Sequence, residues 1–285
     1  MIMLTPAQLQ AYFARIGIAP PARPDLAALR AIHRAHAFAF TWEASDAFLT
    51  RPEGSIDPQR AFENMVEGTR GGWCYHMNGL LGAALAAAGF EVARLCAGVY
   101  RATMGDAVVG NHLTLRVELA DGPWLVECAL GDAMPAPIPL RAGRYEEGFF
   151  ACAIEAADGN WLRYVNHPYG IAPSFDFRAD YVDDARLAQT EIWMRTDPGS
   201  PFTGALAVMR HFPDRVESLV NRTRKTLTAA GLAERALADE AAFAAELAGT
   251  FGLGHPDVAA LWAKTGAVLA AARDAEPQPA NPASA

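Results

Sequence analysis

Long uncharged hydrophobic runs are missing from this 285-residue chain. The longest, Leu80 to Ala88, is about half of what a membrane-spanning helix requires, so no membrane partner is expected. A cationic stripe is missing too. Lys and Arg number 24 against 32 Asp and Glu, for a net charge of -8, which argues against a nucleic-acid partner. No secretory signal opens the chain; Thr5-Pro6 instead reads as a cap and first residue of a short amphipathic helix. The four cysteines, Cys74, Cys96, Cys128 and Cys152, have neither disulfide-framework nor metal-ligand spacing. No metal is expected. Four such thiols in a chain this long suit a reducing compartment, the cytoplasm, where a single cysteine can be chemically active. His33 and His36 stand three apart on a helix without a third ligand, and read as surface residues rather than metal ligands. No internal repeat is seen.

What is present divides by periodicity. Residues 1–89 read as a helical domain, with "DLAALRAIHRAHAFAF" repeating apolar residues at three- and four-residue spacing. Its last helix starts near Cys74, carries Met77, Leu80, Leu81, Ala84, Leu85 and Ala88 on one face, and is ended by Gly89. Residues 90–192 change to a period of two, the mark of an antiparallel sheet or barrel. "NHLTLRVEL" alternates Leu113, Leu115, Val117 and Leu119 with His112, Thr114, Arg116 and Glu118. Residues 193–275 are mixed and then helical. Residues 276–285, "EPQPANPASA", have the composition of a disordered tail.

Cys74 follows two glycines in "RGGWCYHMN" and opens a helix. There a thiol meets the positive end of the helix dipole and unpaired N–H groups, which favours the nucleophilic thiolate. The competing reading is a buried structural cysteine, which holds for the other three. His112 is the candidate base, against an exposed histidine. Its partner acid follows from strand parity. A two-residue turn at Asp121-Gly122 places Gly131 opposite His112, so Glu127 shares the His112 face and Asp132 does not. That register leaves Glu127 four residues along the strand, about 13 Å away. For Glu127 to reach His112, the register must shift by an even number, through a wider loop or bulge near residues 120–123.

These residues carry a resemblance to the arylamine N-acetyltransferase family. "RGGWCYHMN" resembles its Arg-Gly-Gly-x-Cys-x-Glu-x-Asn motif, and "GNHLTLRVEL" its histidine strand. "WLVECALGD" resembles its Leu-Val-Asp-Val-Gly-Phe-Gly-Asp strand. "FTWEASD", "TDPGSPF" and "FGL" resemble further family segments in the same order. The resemblance implies an α+β fold: a helical N-terminal domain, an antiparallel β-barrel middle domain and an α/β C-terminal domain. Cys74, His112 and Glu127 would form a cysteine-protease-like Cys-His-acid arrangement. It also implies ping-pong transfer of an acetyl group from acetyl-CoA to an arylamine or arylhydrazine. Acetyl-CoA is then a substrate, with no permanently bound cofactor. Substrate contacts are implied for Trp42, Trp73, Val99, Leu130 and Phe202, and cofactor contact for Gly131.

The departures are specific. The family aspartate is Glu127, its glutamate after the cysteine is His76, and its Gly-Phe-Gly is Ala129-Leu130-Gly131. His76 lies two residues from Cys74 and so faces elsewhere on the helix, a structural change rather than a second base. Three alternatives stay open: an amide synthase using a larger acyl thioester, a cysteine hydrolase of related architecture, and a non-catalytic binding protein. The acceptor amine, the acyl length and the oligomeric state are not set by the sequence.

Overall fold

The computed structural model describes residues 3–255 and 257–275; the tail expected to be disordered lies outside the described residues. Helix α1 (Pro6–Ile16) begins at a capping box in which Thr5 and Gln8 satisfy each other's backbone N–H, and ends at Gly17 with φ 74°. Asp25 caps α2 (Leu26–Ala39) through the Ala28 N–H. A two-residue strand β1 (Trp42–Glu43) and short helices α3 (Ser45–Phe48) and α4 (Pro58–Phe62) lead to α5 (Cys74–Ala87). Sequence periodicity gives α5 one apolar face, but it is buried almost all round, from Cys74 to Leu85. Alanines and glycines fill its other sides, so neighbours pack closely on every face. Gly89, at φ 91°, ends it; Phe90 N–H reaches Leu85 O and Gly89 N–H reaches Ala86 O, the Schellman pattern.

Eight strands then form a nearly closed antiparallel barrel. They are β2 (Glu91–Val99), β3 (His112–Leu119), β4 (Gly122–Val126), β5 (Ile138–Pro139), β6 (Gly143–Glu147), β7 (Phe150–Ala156), β8 (Leu162–Val165) and β9 (Ser174–Phe177), with a short helix α6 (Arg101–Met104) between β2 and β3. Their order is β5-β4-β3-β2-β9-β8-β7-β6. Helices α7 (Asp184–Thr196) and α8 (Pro201–Gly204) cross to a last sheet built from β10 (Ala207–Phe212), β11 (Arg215–Val220), β12 (Thr223–Thr228) and β13 (Gly231–Ala236). Helices α9 (Glu240–Gly249) and α10 (Val258–Ala275) complete the described chain. The N-terminal strand β1 joins the edge of this sheet, Trp42 opposite Met209 and Glu43 opposite Val208. Among the described residues no helix is long and apolar enough to cross a membrane.

The β3–β4 turn differs from the one the Asp-Gly dipeptide predicts. Leu119 pairs with Gly122, so the two turn residues are Ala120 and Asp121, and Gly122 opens β4 at φ 118°. Moving the turn back by one residue shifts the register by two. Leu115 pairs with Val126, and continuing that register puts Glu127 across from Thr114, two residues from His112 rather than four. No wider loop or bulge is needed.

Candidate active site

Cys74 is the first residue of α5, preceded by Trp73 in an extended conformation. The Trp73 carbonyl accepts from the N–H groups of His76 and Met77, both at 2.9 Å. The Cys74 and Tyr75 N–H groups, at the very start of the helix, have no intrahelical acceptor. The two preceding glycines are needed for close approach, not for a sharp turn, since neither has a positive φ. Gly72 bridges to Trp42, and a Cβ at Gly71 would run into the Thr41 carbonyl; at Gly72 it would meet the His76 side chain. Arg70 fastens the same loop to the β1 region through Glu43 at 2.8 Å and Asp46 at 3.1 Å.

The start of α5 is docked on the start of β3. Tyr75 Oη donates to Gly110 O at 2.7 Å, Cys74 Sγ lies 3.8 Å from Asn111 O, and Asn78 Nδ2 donates to Leu113 O at 2.7 Å. His112 sits within this stretch and is buried, not exposed. Its Nε2 lies 2.9 Å from Glu127 Oε2, which leaves Nδ1 as the nitrogen for the thiol side. The Phe175 ring, 4.8 Å from the imidazole, restrains its tilt.

Burial by itself would lower the His112 pKa. The Glu127 charge and hydrogen bond, with the neighbouring Cys74 thiol, outweigh it, and the pKa rises from 6.5 to about 10. Burial likewise pushes the Glu127 carboxyl up, and the His112 charge and hydrogen bond outweigh that, holding it below the usual range. The carboxylate is fully occupied. Oε1 accepts from the Ala129 and Leu130 N–H groups at 2.6 and 2.9 Å, and Asn78 Nδ2 lies 3.2 and 3.3 Å from the two oxygens. Glutamate's extra methylene lets the head group curl back onto its own loop while still meeting His112.

Cys74 and His112 open onto a cavity of about 520 Å³, also lined by Trp42, Val99, Leu130 and Phe202. Trp73 does not line it. Its ring stands edge-on to Phe202, centroids 5.4 Å apart, and borders a small polar cleft with Glu43, Arg70 and His76. Gly131 is also off the cavity wall; at φ 95°, a Cβ there would strike Met209. Asp132 borders the cavity but turns its carboxylate to Asn166 Nδ2 (2.9 Å) and the Ile171 N–H (2.6 Å), away from His112. His76 bonds to Ser55 O at 3.1 Å. Cys96, Cys128 and Cys152 are buried; burial pushes their thiols up, to about 12 for Cys96 and about 11 for Cys152. Among the described residues no group of three or more His, Cys, Asp or Glu could hold a metal ion.

Two residues at this site escaped the sequence reading. Asn78 stands four residues after Cys74, and that helical spacing alone puts both on one face. His33 was expected at the surface, yet it is fully buried and its Nε2 lies 3.1 Å from Glu127 O. His36 is fully buried as well, its Nδ1 2.9 Å from Tyr12 Oη. Their spacing from Leu29 and Ile32 places them on the apolar face of α2, a signal that was present.

A family profile described as N-acetyltransferase matches residues 25–257. The chain is similar to the arylamine N-acetyltransferase of Mycolicibacterium smegmatis, 32% identical over 210 residues, covering 70% of this chain and 75% of that protein. It is similar also to that of Escherichia coli, 29% identical over 255 residues, covering 87% and 90%. Among solved structures, the arylamine N-acetyltransferase of Mycobacterium marinum superposes with a TM-score of 0.82 at 26% identity, covering 91% of this chain and 99% of that one. The same protein in complex with CoA superposes equally well, at 25% identity over the same shares. The profile match spans most of the chain, and the chain therefore belongs to the arylamine N-acetyltransferase family.

Proposed function

We propose that this enzyme transfers an acetyl group from acetyl-CoA to an arylamine or arylhydrazine through an acetylated Cys74. The observation that supports the reading is that Cys74, at the start of α5, and His112, hydrogen-bonded to Glu127 at 2.9 Å, share the wall of one large, mostly apolar cavity. His112 Nδ1 takes the proton of the Cys74 thiol. The thiolate attacks the thioester carbonyl, and the Cys74 and Tyr75 N–H groups face the developing oxyanion. The C–S bond to CoA breaks, and the departing thiolate takes the proton back from the imidazolium. An amine then attacks the acetyl-cysteine, His112 removes its proton, and the amide leaves as Cys74 is restored. Throughout, Glu127 holds the imidazole in orientation and stabilises its charged form. Trp42, Val99, Leu130 and Phe202 form the wall against which an aromatic acceptor packs. The family resemblance and the neighbour in complex with CoA support the donor.

Intact-mass measurement after mixing with acetyl-CoA alone tests this. One acetyl group should appear, map to Cys74, be absent in Cys74→Ser, and leave on addition of an aromatic amine. Label on Cys96, Cys128 or Cys152, or label retained in Cys74→Ser, would sink the reading. Release at the same rate without amine would favour a hydrolase, and a stronger signal from longer acyl thioesters would favour an amide synthase.

A further inference from the structure

Between β4 and β5 the backbone leaves the sheet, and its carbonyls lose their ladder partners. Buried carbonyls need donors from elsewhere. Three imidazoles supply them, each from a different part of the fold. His33 Nε2, on α2, lies 3.1 Å from Glu127 O. His167 Nε2, from the segment between β8 and β9, lies 2.9 Å from Asp132 O, and His211 Nε2, on β10, lies 2.8 Å from Ala133 O. All three rings are buried. A carbonyl can only accept, so each of these nitrogens must carry its hydrogen.

His33 holds the residue that bears the acid. The Glu127 carboxylate reaches His112 with one oxygen and its own loop with the other, so its position depends on where the Glu127 backbone stands. His33 does not line the cavity and acts from behind the strand. We propose that His33 is a positioning residue for Glu127, fixing through its Nε2–H bond to the Glu127 carbonyl the backbone from which the carboxylate orients His112. His167 and His211 secure the far end of the same loop. The inference rests on the role given above to Glu127. Burial keeps the His33 ring neutral, its pKa lowered to about 4, so at neutral pH the Nε2–H tautomer is selected by the carbonyl it meets.

The test compares His33→Leu, which removes the donor, with His33→Gln, whose amide N–H restores one at similar reach. His33→Leu should slow Cys74 acetylation on the order of ten- to a hundredfold, the scale of a small misplacement at a reacting centre. It should also lower the titration point of the His112 ring, followed by NMR, by about one pH unit. His33→Gln should recover most of both. Unchanged His112 titration in His33→Leu, or His33→Gln no better than His33→Leu, overturns the proposal. Glu127→Gln is the reference: if it too leaves His112 unmoved, the fault lies with the role of Glu127. Should His33→Leu not fold, the ring nitrogens of the unaltered protein decide. Nitrogen-15 spectra at neutral pH should show His33 protonated at Nε2, and a bare Nε2 refutes the bond.

Discussion

Glu127→Gln is the sharpest perturbation of the site, because it keeps the shape of the side chain while removing its charge. The rise of the His112 pKa from 6.5 to about 10 corresponds to about 5 kcal/mol in favour of the imidazolium. A charge pair at the observed 2.9 Å contributes ~6 kcal/mol at an effective dielectric of about 20, so the Glu127 charge is large enough to supply the effect. Without that charge, burial pulls His112 down instead, and the ring should titrate below 6.5. Geometry adds a second loss. The Ala129 and Leu130 N–H groups hold Oε1, so a glutamine keeps its carbonyl there and turns its NH₂ toward His112. Two donors then face each other unless the imidazole moves its hydrogen to Nδ1, the nitrogen needed to receive the thiol proton. Acetylation should fall by on the order of 10⁴-fold, as for other bases trapped in the wrong tautomer. Iodoacetamide alkylation of Cys74 at pH 6, followed by intact mass, should fall by on the order of a hundredfold or more. Glu127→Asp should fall between the two, since a shorter arm cannot satisfy both His112 and its own loop. An alkylation profile in Glu127→Gln that overlays the parent would refute the reasoning.

Asp132→Asn should leave the rate of Cys74 acetylation within about threefold, because its carboxylate binds Asn166 and the Ile171 N–H rather than His112. The effect should appear in KM for the acceptor, since Asp132 and Ile171 border the cavity, and a collapse of the acetylation rate would assign Asp132 a different role. Stability should fall as pH drops from about 6.5 toward 4. His33, His36 and His211 are buried, and burial lowers their pKa values to about 4, about 3 and about 4. In that window the unfolded chain binds protons that the folded chain refuses, so each ring contributes stability above 6.5 that is lost on acidification, about 3 kcal/mol apiece. Thermal melting between pH 7 and 4 checks this, and a flat profile contradicts it.

Local periodicity determined a good deal of this protein on its own. The cap at Thr5, the stop at Gly89 and the start of α5 at Cys74 follow from backbone chemistry within a few residues. Strand alternation carried one residue past β4 puts Glu127 on the His112 face for any even shift of register, because strand side chains repeat every two residues, whereas Asp132 lies in the loop beyond β4. Tertiary structure alone decided the distances. One residue's movement of the β3–β4 turn brought Glu127 from four residues away to two, and Asp-Gly was no guide, since Gly122 serves instead as the first residue of β4. The pairing of β1 with β10 and the meeting of residues 42, 99, 130 and 202 around one cavity join segments far apart in the chain. The burial of His33 shows the same division. Its face on α2 was legible from spacing, but its partner, a carbonyl 94 residues away, was not. A backbone's own dihedrals set what repeats along it, whereas which distant groups touch depends on how whole elements pack, and that information is spread over the entire core.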